Sequence, residues 1–165
     1  MEARGFKILL LVLRNSRSTR MFEEIGVCYI AAYLRQNGYE VRLMEENEES
    51  VDFEGIRAFA PDLIGLPVYM NTEKAACSAC ARLREILPAA RICLGGYAPT
   101  SRGDRLMEMS PDIDFVIRGE GELPFKELAD RLSGGESLEG IRGLSFRHNG
   151  IVRHNGDRAQ LPDLA

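Results

Sequence analysis

The segment Lys7-Ile8-Leu9-Leu10-Leu11-Val12-Leu13 is a run of strand length in which apolar residues follow one another without alternation. A strand with one wet face alternates apolar and polar residues, so an unbroken run belongs to a strand covered on both faces, as in a parallel sheet between helical layers. The next segments keep that rhythm. Gly26 to Asn37 reads as a helix closed by Gly38 at a left-handed cap, and Glu40 to Met44 as a second strand. A short helix over Val51 to Phe59 stops at Pro61, and Leu63 to Val68 forms a third strand whose ladder is relaxed near Pro67. Thr72 to Leu87 is an amphipathic helix with Ala75, Ala76, Ala79, Leu83, Ile86 and Leu87 inward, followed by a fourth strand from Arg91 to Leu94. Arg102 to Met109 is a further helix, Phe115 to Ile117 a fifth strand, and Leu123 to Leu132 a last helix stopped by Gly134-Gly135.

Strands alternating with helices predict an α/β fold of flavodoxin-like (Rossmann-like) type, a doubly wound parallel five-stranded sheet in the order 2-1-3-4-5. After residue 135 the rhythm changes. Gly143 to Arg147 and Ile151 to His154 flank His148-Asn149-Gly150, a tight-turn signal, and predict a C-terminal β-hairpin; Gly156 to Ala165 reads as a polar linker. The expected organisation is a ligand-binding domain over 1–135 and a hairpin with linker over 136–165.

A chain of 165 residues with 45% hydrophobic and 28% charged residues has the material for one core, and its net charge of −4 gives no electrostatic case for nucleic acid. The run from Ile8 to Leu13 is too short to span a bilayer and is cut by Arg14, so no membrane partner is expected. Four cysteines make no disulfide framework; free thiols in the cytoplasm are the expectation.

Topology puts the loops after strands one, three, four and five at one edge, where such sheets bind ligands. Between the first strand and first helix, Arg14-Asn15-Ser16-Arg17-Ser18-Thr19-Arg20-Met21 has no glycine, which excludes a dinucleotide fingerprint. The acidic cluster of a phospho-acceptor domain is also missing: Leu13-Arg14-Asn15 and Val68-Tyr69 stand in its places. Cys77-Ser78-Ala79-Cys80 lies inside a helix with no second ligand pair and reads as packing, as do Cys28 and Cys93 at periodic buried positions; no metal ligands are expected. His148 and His154 read as exposed hairpin residues, Glu45 to Glu49 as a solvated loop, and Glu120 and Glu122 as favourable charges at a helix N-terminus. What remains is an edge of small and hydrogen-bonding groups: Asn15, Ser16 and Ser18; Tyr69, Met70, Asn71 and Thr72; and two glycine-bearing segments, Leu94-Gly95-Gly96-Tyr97-Ala98-Pro99-Thr100 and Arg118-Gly119-Glu120-Gly121-Glu122. Such a surface suits a large, flat, amide-rich ligand. No catalytic group stands beside it.

These segments, with Ile25-Gly26-Val27-Cys28-Tyr29-Ile30-Ala31-Ala32-Tyr33-Leu34-Arg35-Gln36-Asn37-Gly38-Tyr39-Glu40-Val41, Pro61-Asp62-Leu63-Ile64-Gly65-Leu66 and Asp112 to Ile117, resemble the N-terminal cobalamin-binding domain of cobalamin-dependent radical S-adenosylmethionine enzymes. The resemblance implies cobalamin (vitamin B12) lying across the carboxyl edge, its nucleotide tail entering between the strand-one and strand-four loops. By position, Asn71 and Thr72 would contact corrin or tail, Gly95 and Gly96 would admit the tail, and Gly119 to Glu122 would border the ring; Asn15, Ser16, Tyr69, Met70, Tyr97, Ala98, Pro99 and Arg118 complete the implied cofactor set. The cobalt-ligating histidine of Asp-x-His-x-x-Gly domains has no counterpart between Leu13 and Gly26.

The radical chemistry needs a four-iron four-sulfur cluster, usually on Cys-x-x-x-Cys-x-x-Cys, a spacing absent among Cys28, Cys77, Cys80 and Cys93. The expectation is therefore a domain that is not catalytic alone. The cluster and S-adenosylmethionine would belong to a C-terminal radical domain of the same polypeptide, of methyltransferase or cyclase type. Two alternatives stay open: the same fold without cobalamin, as a substrate-recruiting or interaction module, and a free-standing corrinoid carrier.

Overall fold

The first strand, β1 (Lys7–Arg14), sits in mid-sheet and is buried on both faces, as its unbroken apolar run requires. Leu9, Leu11 and Leu13 point into one core layer and Ile8, Leu10 and Val12 into the other. The computed structural model describes residues 5–14 and 25–158. Around β1 follow α1 (Ile25–Gln36), β2 (Glu40–Asn47), α2 (Phe53–Phe59), β3 (Leu63–Pro67), α3 (Glu73–Ile86), β4 (Arg91–Gly95), α4 (Tyr97–Met109), β5 (Phe115–Ile117), α5 (Glu122–Gly134), β6 (Leu144–His148) and β7 (Ile151–His154). The sheet order is β2-β1-β3-β4-β5-β6-β7, parallel through β5 and antiparallel thereafter. α1 and α5 cover one face through Val27, Ala31, Leu34, Phe125, Leu128 and Ala129. α2, α3 and α4 cover the other, with Ile56, Phe59, Ala76, Ala79, Cys80, Leu83, Leu106 and Met107. This is the doubly wound arrangement expected from the alternation.

The expected C-terminal hairpin forms and extends the sheet. β6 pairs with β5 (Phe115 to Phe146, Val116 to Ser145, Ile117 to Leu144), and Leu144 and Phe146 join the core layer under α1 and α5. Its turn is formed by Asn149 at φ 50° and Gly150 at φ 78°, the two positive values that a right-twisted two-residue hairpin loop requires. Three expectations are corrected. β2 runs on through Glu45, Glu46 and Asn47, because β1 offers ladder partners up to Arg14, so the acidic run is strand before it is turn. α4 begins at Tyr97 rather than Arg102, since a proline in the first helical turn forfeits no intrahelical hydrogen bond. Cys28 is exposed: α1 carries apolar residues all round, and Val27, Ala31 and Leu34 define its inner face. Cys80 and Cys93 are buried and Cys77 half-buried, and burial pushes up all three thiols. Among the described residues no helix is long and apolar enough to cross a membrane.

A polar cluster ties the start of β2 to α5. The Tyr39 hydroxyl donates to Asp130 Oδ1 at 2.6 Å, and Lys126 Nζ donates to Asp130 Oδ2 at 2.6 Å. Burial first, then the bond to Asp130, pushes the Tyr39 hydroxyl up to about 12 from an ordinary 10.0. Burial alone would raise the Asp130 carboxyl, but the bonds from Lys126 and Tyr39 outweigh it and hold it below the usual carboxylate range. A raised acid stabilises the fold only while protonated, so the Tyr39 contribution is complete below its ordinary value and is lost as pH rises through its folded value. Urea titrations of the wild type should lose stability between pH 10 and about 12 by a component that Tyr39→Phe lacks. The two proteins should run parallel at neutral pH, and parallel curves throughout the alkaline range would show that the bond to Asp130 is not coupled to folding.

Candidate functional site

At the carboxyl edge of the sheet, β1, β3, β4 and β5 meet α1 and α5 around a cavity of about 280 Å³. Its floor is one row of the sheet, in which Leu10 pairs with Gly65 and Gly65 with Cys93. Two small residues side by side lower the sheet surface there, and Phe125 from α5 closes the inner end. Ile25, Val27 and Ile30 of α1 line it across from the sheet, Pro67 and Gly95 continue the sheet row two residues further on beside Ile117 of β5, and Tyr69, Gly96 and Gly119 to Glu122 line it in the loops at the carboxyl edge, its mouth.

Glycines at this edge serve three purposes. A Cβ at Gly65 would fall 2.8 Å from Phe125 Cε2 and 2.9 Å from Leu10 Cδ2, so Gly65 lets helix and sheet approach. Gly96, the residue before α4, has φ +100°, and a Cβ there would fall 3.2 Å from both Val68 N and Val68 O. Gly95 is different. Its φ lies outside the left-handed region and a Cβ on it would meet no atom within 4 Å, so neither backbone conformation nor a neighbour requires glycine. What the missing side chain leaves is open space in the cavity wall.

Of the residues expected to hold the ligand, Tyr69, Gly95, Gly96, Gly119, Glu120, Gly121 and Glu122 line this cavity together. Met70, Asn71 and Tyr97 are exposed at the same edge, outside the lining. Thr72 is buried, and its hydroxyl accepts from Tyr69 N at 3.0 Å and donates to Tyr69 O at 3.2 Å, closing the loop after β3 on itself. Ala98 and Pro99 are buried in the first turn of α4. Asn15 and Ser16 lie outside the described residues. Arg118 turns toward the hairpin: its Nε and Nη2 donate to Asp157 Oδ1 at 3.1 and 2.9 Å, Nη2 to Asn155 O at 2.6 Å, and Nη1 to Ser145 Oγ. Gly143 N donates to Gly156 O at 2.9 Å alongside, so the chain after β7 is held beside the Gly119 loop.

Sequence reasoning missed Leu10, Gly65, Cys93, Phe125 and the α1 wall. Gly65 carried a signal, being a glycine inside an otherwise aliphatic strand. The α1 and α5 side chains did not, because only the tertiary packing brings them over the sheet. Among the described residues the lining is apolar apart from its backbone, Tyr69, the Cys93 thiol and two carboxylates, Glu120 and Glu122. Both histidines are exposed on the hairpin, His154 with Nδ1 2.8 Å from Ser145 Oγ. Among the described residues no group of three or more His, Cys, Asp or Glu is placed to hold a metal ion.

The profile of a protein family described as "B12 binding domain" matches residues 13–129, most of the chain. The chain belongs to the B12 binding domain family. This B12-binding domain is 34% identical over 144 residues to an uncharacterized methyltransferase of Pyrococcus horikoshii, covering 85% of this chain and 31% of that protein. It is 30% identical over 146 residues to the anaerobic magnesium-protoporphyrin IX monomethyl ester cyclase of a Synechocystis strain, covering 85% and 29%. Its fold superposes with a TM-score of 0.76 and 18% identity on the radical S-adenosylmethionine methyltransferase TsrM from Kitasatospora setae, solved with cobalamin and a [4Fe-4S] cluster, over 96% of this chain and 30% of that one. The chain thus spans about a third of the length of the relatives it matches.

The floor geometry makes a direct expectation. Gly65→Ala forces Phe125 or Leu10 aside, and chemical denaturation should register a loss of about 1 to 3 kcal/mol, the usual cost of overpacking a filled core. An unchanged midpoint would mean that Phe125 is free to leave the floor.

Proposed function

We propose that this B12-binding domain holds cobalamin across its carboxyl edge, with the nucleotide tail entering the cavity beneath Gly95. The observation that carries the reading is the open space at Gly95, a glycine that the protein itself does not need. A cavity of about 280 Å³ with apolar walls is too small for a corrin ring and suits the flat base at the end of the tail. The ring is left to the mouth, where Gly96 and Gly119 expose backbone, Tyr69 offers a hydroxyl and an apolar face, and the Glu120 and Glu122 carboxylates accept hydrogen bonds from ring amides.

Bound cobalamin supplies a cobalt centre able to carry a methyl group. The chain's part is to seat and orient it, and its lining offers cobalt no imidazole. Catalysis is proposed to reside in a C-terminal radical domain of the same polypeptide, of methyltransferase or cyclase type, which would carry the iron-sulfur cluster and S-adenosylmethionine. Two features support this. β7 runs in the same direction as the parallel strands, so the chain leaves the sheet on the ligand side; and Met70 and Tyr97 are 59% and 68% exposed there, apolar surface that suits a covering partner. Free thiols fit a cytoplasmic setting.

Reconstitution with hydroxocobalamin should give the visible absorbance of a retained corrinoid. Gly95→Phe should fill the cavity and weaken retention at least about tenfold while shifting the melting temperature by less than about 2 °C, because its Cβ meets nothing. Wild-type affinity in Gly95→Phe would sink the reading. In the reduced cobalt(II) form, electron paramagnetic resonance should show no splitting from an axial nitrogen; such splitting, if lost on replacing His148 and His154, would establish a protein imidazole ligand instead.

A further inference from the structure

The two glycine segments are separated in the sheet as well as in sequence. β4 and β5 pair only through Cys93 with Phe115 and Leu94 with Val116. One residue further on, Ile117 pairs with Leu144 of β6, and Arg118 N donates to Gly143 O at 2.8 Å. β5 stays paired with the hairpin where the cavity opens, but its ladder with β4 ends there.

Thr100 crosses the gap. Its hydroxyl donates to Gly96 O at 2.8 Å and accepts from Gly119 N at 3.0 Å. The first bond is common, since a helical threonine often returns its proton to the carbonyl four residues back. The second is not local: it catches the amide of the loop 19 residues away. One hydroxyl that is donor and acceptor at once therefore joins the last residue before α4 to the first glycine of the following loop. On the other side, Val68 N donates to Gly95 O at 2.7 Å and Ala98 N to Val68 O at 3.1 Å, so the exits of β3, β4 and β5 form one hydrogen-bonded rim.

We infer that Thr100 is a positioning residue of the ligand site, which fixes the separation of the Gly95-Gly96 and Gly119-to-Glu122 segments and so the width of the cavity mouth. It need not touch ligand. Gly119 has φ +81° and no atom within 4 Å of a would-be Cβ, and its amide bond to Thr100 is a tether that fixes where the loop stands. A mouth set in advance binds without ordering the loop at the moment of binding.

The inference rests on the corrinoid reading, and the test separates the two. Thr100→Val keeps shape and β-branching but removes both bonds; Thr100→Ser keeps the hydroxyl. In ligand-free protein, amide exchange at Gly119 should quicken roughly three- to tenfold in Thr100→Val and stay near wild type in Thr100→Ser. With hydroxocobalamin, Thr100→Val should bind about three- to tenfold more weakly, chiefly through faster dissociation, while Thr100→Ser restores binding. Unchanged exchange at Gly119 would overturn the tether whether or not cobalamin binds. Faster exchange with unchanged affinity and dissociation would overturn the positioning role. If the wild type retains no corrinoid, the reading of the site falls and the positioning role with it, while the exchange experiment still judges the tether on its own.

Discussion

Right-handed crossovers on both sides of a doubly buried β1 govern everything else in this chain. Each parallel strand must be followed by a helix that packs back on the sheet, so the loops after β1, β3, β4 and β5 emerge at the same edge. β1 can occupy the middle only because both sets of its side chains are aliphatic, Leu9, Leu11 and Leu13 on one face and Ile8, Leu10 and Val12 on the other. A polar residue in either set would place an unsatisfied group in a layer that offers no partner. The ligand edge is thus a by-product of how the core is made.

Small residues turn that edge into a site. Gly65 and Cys93 lower the sheet, Gly96 lets the chain turn sharply into α4, and Gly95 leaves a wall open. These differ in kind. Gly65 serves packing and Gly96 serves backbone conformation, so both belong to folding; Gly95 serves neither, and in the proposed reading the space it leaves belongs to the ligand. Among the described residues the lining charges are Glu120 and Glu122, at the start of α5, where the helix dipole favours anions and water still reaches them.

Most of the fold was legible in the sequence because periodicity and punctuation agree: an aliphatic run for β1, Gly38 and Gly135 as left-handed caps, Asn149-Gly150 as a hairpin turn. The errors have physical causes. Pro99 reads as a loop residue yet is tolerated in the first turn of α4, and Cys28 sits on the outer face of a helix that is apolar all round. In the candidate site, the glycine segments were readable from their place after strands. The direction of the Arg118 guanidinium was not, since Ser145, Asn155 and Asp157 that draw it away are supplied by a later hairpin. Ile25, Ile30 and Phe125 were likewise hidden, because two helices remote in sequence have to meet over one strand glycine before a cavity exists.

The hairpin's place in the sheet has a mechanical side. Tension on the chain leaving β7 is taken up in shear by the β6–β7 and β5–β6 ladders, and by the Arg118 fork on Asn155 and Asp157, before it reaches the loop that follows β5 and holds Gly119. A shear-loaded ladder yields little until several bonds break together. The departure point of the chain and the rim of the cavity therefore behave as one stiff plate, and a displacement imposed at one is felt at the other without passing through a flexible tether.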